Sequence, residues 1–212
     1  MEGYTTVKQT ASFEYEDRKS VFIGDAMPVS TEEDALRFLD AVKKRYPDAR
    51  HHVYAYVLRE NSIMRFSDDH EPQGTAGMPV LDSIRKNGVT DVIIVVTRYF
   101  GGTLLGKGGL KRAYTDSGRE ALEAGEPVTL IPALKWRQNC SYSVFEMLSR
   151  KASQSGWTLE NVEYGQDVAF DIIVPVESEN ELKRVCLDLS GGALVLGDSE
   201  SLLMMGEKAS VS

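Results

Sequence analysis

A run of five β-branched residues followed by a cluster of glycines constrains this chain more than any other stretch. Residues 92–96 read Val-Ile-Ile-Val-Val, a composition typical of a buried strand. The nine residues 101–109, which we name the glycine-rich segment, contain Gly101, Gly102, Gly106, Gly108 and Gly109. From Leu110 to Ala121 apolar residues recur at helical spacing. The stretch therefore predicts a strand, a glycine-rich loop and a helix.

The glycine-rich segment lies in the net-basic part of an acidic chain. The whole sequence has a net charge of −8, whereas residues 77–119 hold seven Lys or Arg and three Asp or Glu. A helix start exposes unpaired N–H groups and the positive end of the helix dipole. Four cations lie in or beside this segment: Arg98, Lys107, Lys111 and Arg112. Together with the five glycines they predict a site that binds phosphate or nucleic acid. A tight structural turn with solvated lysines is the alternative interpretation.

The spacing of Gly101, Gly106 and Lys107 matches the first part of a P-loop, GxxxxGK, directly after a strand. The next residue is Gly108, where a P-loop has the Ser or Thr whose hydroxyl binds Mg²⁺. This departure argues against a magnesium-dependent NTPase of the usual P-loop kind. We assign no cofactor and no metal to the chain.

A second cluster of chemically active residue types precedes the glycine-rich segment. Two histidines begin a predicted strand, and three carboxylates crowd into a loop of turn-forming residues (the polar loop, residues 67–76): His51, His52, Asp68, Asp69 and Glu71. Adjacent strand residues point to opposite faces, so the two histidines are poorly placed to bind one metal. The loop matches neither an EF-hand nor an HExxH motif. A structural or partner-facing loop, a metal site and acid–base chemistry stay open as its roles.

Composition places the chain among ordinary globular proteins. Hydrophobic residues make up 42% of it and charged residues 26%. No stretch approaches the ~18 consecutive apolar residues of a membrane span, and the first residues lack the features of a secretory signal. The two cysteines, Cys140 and Cys186, are too few for a disulfide scaffold, and we expect Cys186 to be a core residue. We expect a cytoplasmic protein with no membrane partner.

Hydrophobic periodicity and breaker residues divide the chain into two predicted domains, residues 1–130 and residues 134–208. The first domain combines strands with helices, and its first helix begins in a capping box at Ser30 to Glu33 and ends before Pro47. Ile131 and Pro132 are interpreted as a linker. The expected apolar face of the first helix consists of Leu36, Leu39, Val42 and Tyr46.

The second domain alternates strand and helix patterns in the order β-α-β-β-α-β. The predicted elements lie at residues 134–142, 144–152, 157–164, 167–175, 177–189 and 194–205. This order is that of the ferredoxin-like split βαβ unit. The chain is therefore predicted to belong to the α+β class, with a ferredoxin-like C-terminal domain.

Three stretches resemble the motifs of the YigZ/IMPACT family. They are residues 51–55 (HHVYA), residues 67–79 (SDDHEPQGTAGMP) and residues 96–114 (VTRYFGGTLLGKGGLKRAY). The resemblance covers roughly residues 18–120, and the second domain is similar to that of the bacterial members. One departure is His70, where the family loop usually has glycine, and it weakens the inference that the backbone must adopt a positive φ at this position.

The resemblance implies both a fold and a cellular process. It implies an N-terminal two-layer α/β domain of the kind seen in domain IV of elongation factor G and in a small-subunit ribosomal protein. It also implies a C-terminal domain like domain V of that factor. Eukaryotic relatives regulate translation under amino-acid starvation through protein–protein contacts, and they carry a different accessory domain. These comparisons point toward association with RNA or the ribosome.

Three functions follow as hypotheses. The first is a non-enzymatic, cytoplasmic translation-associated factor that contacts RNA or the ribosome through the glycine-rich segment and its cations. The second is a hydrolytic or phosphate-directed enzyme, whose cleft would lie between the polar loop and the glycine-rich segment with His51 or His52 nearby. The third is a protein-interaction module that docks through the polar loop.

Overall fold

The computed structural model of the protein describes residues 2–210, which divide into two compact units. The N-terminal unit comprises residues 4–129 with 207–210, and the C-terminal unit comprises residues 130–206 with 2–3. Within the described range, no helix is both long enough and apolar enough to cross a membrane.

A five-stranded sheet forms the centre of the N-terminal unit. In chain order the strands of this unit are β1 (Tyr4–Val7), β2 (Ala11–Asp17), β3 (Ser20–Pro28), β4 (His51–Leu58), β5 (Ile63–Ser67) and β6 (Val92–Tyr99). The sheet has the order β2–β3–β6–β4–β5, and every neighbouring pair in it is antiparallel. β6 is thus the middle strand. The glycine-rich segment follows its C-terminal end.

Three helices cover both faces of this sheet: α1 (Glu32–Arg45), α2 (Gly77–Lys86) and α3 (Gly106–Ala124). Phe38 and Leu39 of α1 belong to one buried cluster, whereas α2 and α3 contribute Ile84, Leu110 and other residues to a second one. The predicted α+β class is confirmed. The number of layers differs from the expectation, because helices on both faces make three layers where two were expected.

Alternation of side chains along β6 explains why both faces are covered. Val92, Ile94 and Val96 are buried in the cluster with α2 and α3, and Ile93 and Val95 are buried in the cluster with α1. A strand that is apolar on both sides needs a cover on each face. The uninterrupted β-branched run in the sequence therefore requires helices above and below it.

α1 differs in two details from the sequence-based prediction. Its N-cap is Thr31 rather than Ser30, and Thr31 Oγ1 accepts a hydrogen bond from Asp34 N at 3.1 Å. The predicted apolar face was wrong at Leu36, which is 47% exposed, because a different side of the helix turns toward the sheet. The buried residues of this helix are Ala35, Phe38, Leu39 and Val42.

The glycine-rich segment is a loop only in its first half. Residues 100–105 connect β6 to α3, but the helix begins at Gly106, so the prediction of a loop as far as Gly109 was wrong. Gly106 has a φ of 71°, a left-handed conformation that glycine adopts without strain. Lys107 consequently lies in the first turn of α3 rather than in a preceding loop.

The C-terminal unit has the predicted ferredoxin-like order of elements. They are β7 (Pro127–Cys140), α4 (Tyr142–Ser155), β8 (Thr158–Tyr164), β9 (Val168–Pro175), α5 (Glu179–Ser190) and β10 (Glu200–Lys208). In this sheet β7 pairs with β1, β9 and β10, and β9 also pairs with β8; the β7–β9 and β8–β9 pairs are antiparallel. This is the split βαβ arrangement, because β9 lies between the two strands that α4 connects.

Two boundaries near this unit were predicted wrongly. Ile131 and Pro132 lie inside β7 rather than in a linker, since the φ fixed by a proline ring is compatible with an extended strand. The last strand begins at Glu200, and Leu194, which was predicted to begin it, packs into the core from irregular backbone at 5% exposure.

Cys186 lies in the core of the C-terminal unit, as expected from its helical spacing. It is 1% exposed and packs in one cluster with Trp136, Phe170 and Leu182. Burial raises the pKa of the Cys186 thiol to about 11, because a thiolate would lose its hydration there. Neither this thiol nor that of Cys140 forms a disulfide.

Candidate functional site

A pocket of about 420 Å³ lies in the N-terminal unit, where β4 and β6 meet the start of α3. His51 and Glu71 line it from the side of the polar loop. Arg98, Gly106 and Lys107 line it from the side of the glycine-rich segment. Members of both groups of residues therefore line one cleft, a relationship that the sequence left open, whereas Lys111 and Arg112 are not among the residues that line it.

The register of three strands brings the wall of this pocket together. Arg98 on β6 lies directly opposite His51 on β4 and directly opposite Phe22 on β3. Residues that are paired across antiparallel strands point to the same face of the sheet. His51, Arg98 and Phe22 thus form a row across three adjacent strands, on the face of the sheet that α3 covers.

Arg98 and Glu71 form a buried ion pair at the base of the pocket. Arg98 Nη1 donates to Glu71 Oε1 at 2.6 Å, and Tyr114 Oη donates to the same carboxylate oxygen at 2.8 Å. Arg98 is 6% exposed and Glu71 is 8% exposed. Burial, and then the neighbouring Glu71 charge, raise the pKa of Tyr114, so this side chain stays a hydrogen-bond donor.

Two aromatic rings flank the guanidinium of Arg98. Its Cζ lies 5.4 Å from the centroid of Phe22 and 5.6 Å from that of Phe100. Nη2 is 3.4 Å from Ser20 Oγ, whereas Nε has no hydrogen-bond partner among residues 2–210. Arg98 was predicted as a phosphate contact beside the lysines, but it differs from them because it is enclosed and already paired.

The two histidines lie on opposite faces of β4, as alternation along a strand predicts. His51 Nδ1 is 2.9 Å from the backbone oxygen of Asp69, which only accepts, so Nδ1 carries the proton. His51 Nε2 is then left for the pocket, at 4.0 Å from Glu71 Oε1. His52 Nε2 is 3.1 Å from the backbone oxygen of Tyr46 and does not line the pocket.

The other two carboxylates of the polar loop accept hydrogen bonds from backbone N–H groups and do not line the pocket. Asp68 accepts hydrogen bonds from the backbone N–H groups of Gly74, Ala76 and Gly77 at 2.8–3.1 Å, which fastens the loop to the start of α2. Asp69 Oδ2 accepts from His52 N at 2.6 Å. Of the three carboxylates singled out in the sequence, Glu71 is the one that lines the pocket.

His70 has the backbone conformation for which the family loop usually has glycine. Its φ is 69°, so the backbone adopts the left-handed conformation at this position although a glycine is absent. Histidine is one of the non-glycine residues that are enriched in this region. Among residues 2–210, no three His, Cys, Asp or Glu side chains are grouped so that they could hold a metal ion.

The glycines of the glycine-rich segment have different structural roles. A Cβ on Gly101 would lie 2.0 Å from the backbone C and O of Lys19, so this glycine permits a close approach of two chain segments. Its N–H donates to Ser20 Oγ at 3.2 Å. Gly102 and Gly106 have positive φ, and Gly109 lies against Leu105. Gly108 has open space where its Cβ would be.

Three cations at the start of α3 are exposed to solvent. Lys107, Lys111 and Arg112 form no ion pair with any part of the chain that the structure describes. The N-cap residue of α3 is Leu105, whose side chain gives no capping hydrogen bond, and the first turn of the helix holds no acidic residue. The positive end of the helix dipole and the side-chain charges therefore both attract an anion.

Sequence reasoning missed several residues of this site. Tyr114 was interpreted only as part of an apolar helical stripe, and its hydroxyl contact with Glu71 is visible only once α3 is packed on the sheet. Arg50, Phe100 and Leu104 also line the pocket. Phe100 and Leu104 lie within the family motif of residues 96–114, which could have pointed to them. In the structure Phe100 is 53% exposed and Leu104 is 82% exposed, which is unusual for large apolar side chains.

Comparison with known proteins gives consistent results. Residues 18–122 match the model of the Impact N-terminal domain. IMPACT family member YvyE of Bacillus subtilis is 34% identical over 201 residues, which are 94% of this chain and 93% of that protein. IMPACT family member YigZ of Escherichia coli is 33% identical over 184 residues, 85% of this chain and 90% of that one.

A solved structure extends the similarity to three dimensions. A crystal structure of a hypothetical protein is 32% identical, covers 92% of this chain and 97% of its own, and superposes with a TM-score of 0.59. The match spans both units, as do those to the bacterial proteins. The resemblance predicted from the three motifs is confirmed, and the chain belongs to the IMPACT family.

Proposed function

We propose that this protein is a cytoplasmic, non-enzymatic translation-associated regulatory factor that contacts RNA or the ribosome through the start of α3. The observation that carries the proposal is the exposure of Lys107, Lys111 and Arg112 beside an uncapped helix N-terminus. Phosphate oxygens are the natural partners of such cations and N–H groups. Membership of the family supports translation as the process, because the family resemblance implies a role in the regulation of translation.

The proposal concerns a local patch rather than a generally basic surface. The chain has a net charge of −8, so its overall field repels nucleic acid. Binding must then come from the few cations that face outward without an internal partner. Arg98 takes no direct part in contacting a long phosphate backbone, because it is 6% exposed and paired with Glu71.

Co-sedimentation with ribosomal subunits and with free RNA at two salt concentrations tests the proposal. We expect binding that weakens steeply with salt, since each phosphate contact releases counterions. Lys107→Ala/Arg112→Ala should weaken binding and lower the slope of log affinity against log salt by about 2. Lys43→Ala/Lys44→Ala is the matched control, because it removes two exposed charges from α1, on the other face of the sheet.

Two results would contradict the proposal. Equal losses in both double variants would mean that net charge, rather than the start of α3, governs binding. A partner that is retained after nuclease treatment and in the Lys107→Ala/Arg112→Ala variant would instead favour the protein-interaction module.

A phosphate-directed enzyme is a second candidate, and one observation favours it. His51 presents Nε2 to a pocket that also contains Arg98 and Lys107, an arrangement able to move a proton beside a bound phosphate ester. Glu71 is less suited to be the base, because its Oε1 already accepts from Arg98 and Tyr114. Turnover of a phosphoester substrate that is lost in His51→Gln would support this candidate. No turnover across a broad phosphoester panel would remove it.

A further inference from the structure

We propose that the pocket between the polar loop and α3 binds a nucleotide that carries a terminal phosphate monoester. The phosphate would lie against the start of α3 and the base against Phe100 and Leu104. This inference rests on the proposed function and deepens it: the protein would recognise the phosphorylated end of a nucleotide chain, or a free mononucleotide, in addition to a continuous backbone.

The beginning of α3 offers unpaired backbone donors to the pocket. A helix of 19 residues starts at Gly106 with no side-chain cap and no acidic residue in its first turn. The first N–H groups of a helix have no partner within it, so they are available to an anion. Gly106 and Lys107 line the pocket, which places these donors at its wall.

Arg98 adds a donor that is independent of the helix. Arg98 lines the same pocket while being 6% exposed, and its Nε has no hydrogen-bond partner among residues 2–210. A buried donor without a partner is costly, and a ligand oxygen would satisfy it. Glu71 and the two flanking aromatic rings fix the guanidinium in place, so the donor is oriented before the ligand arrives.

The charge of the pocket favours a monoester over a diester. Arg50, Arg98 and Lys107 carry three positive charges against the one negative charge of Glu71, which gives a net charge of +2 when His51 is neutral. A phosphate monoester carries about −1.5 to −2 at neutral pH, whereas each backbone diester carries one negative charge. A terminal phosphate therefore matches the pocket better than an internal one.

The apolar lining indicates what the phosphate is attached to. Phe100 is 53% exposed and Leu104 is 82% exposed, although both belong to the pocket wall. Exposed aromatic rings beside cations are surfaces on which nucleobases stack. A volume of about 420 Å³ is within the range of small-molecule sites. Phosphate and base thus each find a complementary surface.

Titration calorimetry of the full chain with 5′-AMP, adenosine and inorganic phosphate tests the site. We expect 5′-AMP to bind about tenfold or more tightly than either of the others, because each of those lacks one half of the contacts. Equal affinity for 5′-AMP and adenosine would overturn the inference.

Gly108, in the first turn of α3 and next to Lys107 of the pocket wall, offers a position where a negative charge can be added to the helix start. Its Cβ position is open and its φ is not positive, so a side chain fits there. Gly108→Asp adds a carboxylate that a helix start stabilises but that repels a phosphate. Gly108→Asn is the control of the same shape. We expect 5′-AMP binding to fall about tenfold in Gly108→Asp relative to Gly108→Asn. Equal affinities in the two variants would overturn the inference.

Single-stranded RNA of about ten nucleotides separates the two sources of the ligand. A preference for 5′- or 3′-phosphorylated over hydroxyl-ended RNA, measured by fluorescence anisotropy, supports recognition of a chain end. Binding of 5′-AMP without such a preference supports a free mononucleotide. Salt-dependent RNA binding that needs Lys107 and Arg112, with no 5′-AMP binding and no end preference, overturns this inference and leaves the proposed function standing.

Discussion

Arg98 Nη1 lies 2.6 Å from Glu71 Oε1, and the two side chains are 7% and 4% exposed. This ion pair joins the polar loop to the end of the middle strand of the sheet. Tyr114 donates to the same carboxylate oxygen from α3, so one buried charge ties three elements together. The geometry of the pocket depends on this junction, because both partners line its wall.

Glu71→Gln should destabilise the N-terminal unit severely. The substitution keeps the shape of the side chain but leaves the buried Arg98 charge without its counter-ion. Removing one partner of a buried ion pair costs about 3–5 kcal/mol. Urea unfolding of wild type and variant, followed by circular dichroism, measures the difference.

Glu146→Gln is the matched control for this prediction. It breaks the Arg150–Glu146 pair on α4, whose side chains are 73% and 66% exposed. Exposed pairs contribute about 0–1 kcal/mol because water screens the charges. Similar losses of stability in the two variants would mean that the buried Arg98–Glu71 pair contributes no more to the free energy of unfolding than an exposed pair does.

The glycine-rich segment offers a second prediction, in which two glycines respond oppositely to alanine. Gly101→Ala would place a Cβ 2.0 Å from the backbone of Lys19, so the loop and the β2–β3 turn must separate. We expect a loss of about 3 kcal/mol. Gly108→Ala puts its Cβ into open space in a helix and should stabilise the protein by about 0.5 kcal/mol.

Urea unfolding of both glycine variants decides between the two interpretations of the motif. A loss confined to Gly101→Ala means that the first half of the segment serves packing and the second half is available for binding. Equal losses would mean that the whole segment is a structural turn, the alternative that the sequence left open.

The contrast between these glycines indicates what a single sequence can and cannot predict. Local patterns found the β6 strand, the following helix and the opposite orientation of His51 and His52, because alternation and helical spacing are short-range properties. The start of α3 was misplaced, since helix propensity disfavours glycine and only the packed backbone shows that the helix begins at Gly106.

The composition of the site was harder to predict because its contacts are long-range in sequence. Asp68 and Glu71 look equivalent in the sequence, yet one caps backbone N–H groups of its own loop and the other pairs with Arg98, 27 residues away. Which carboxylate faces a pocket depends on the way the loop folds back. The three-layer arrangement likewise required knowing that α1 packs on the face opposite to α2 and α3.

The cysteines supply a prediction about the C-terminal unit. Burial raises the pKa of Cys186 to about 11, so about one molecule in a thousand carries the thiolate at pH 8. In the folded protein, a Cys140→Ser variant should react with a chromogenic disulfide reagent far more slowly than the same variant in urea. A fast reaction without denaturant would mean that the helix carrying Cys186 opens readily.

The last prediction concerns Asp25, which is 1% exposed on β3 and pairs with Arg45 of α1 at 2.9 Å. Burial raises the pKa of the Asp25 carboxyl group, although Ser12 and Arg45 act in the opposite direction. A raised folded-state pKa favours the protonated form, so the contribution of this group to stability is present below the unfolded pKa of 3.8 and is lost as the pH rises through the folded value.

Asp25→Asn removes the buried charge while keeping the shape of the side chain. We therefore expect the variant to be more stable than wild type at pH 7, and the gain to shrink as the pH falls through the raised folded-state pKa of the wild-type carboxyl group. Urea unfolding of both proteins at a series of pH values measures this difference. A variant that is less stable at pH 7 would mean that the bond to Arg45 outweighs the burial of the charge, and that α1 is held to the sheet by this ion pair.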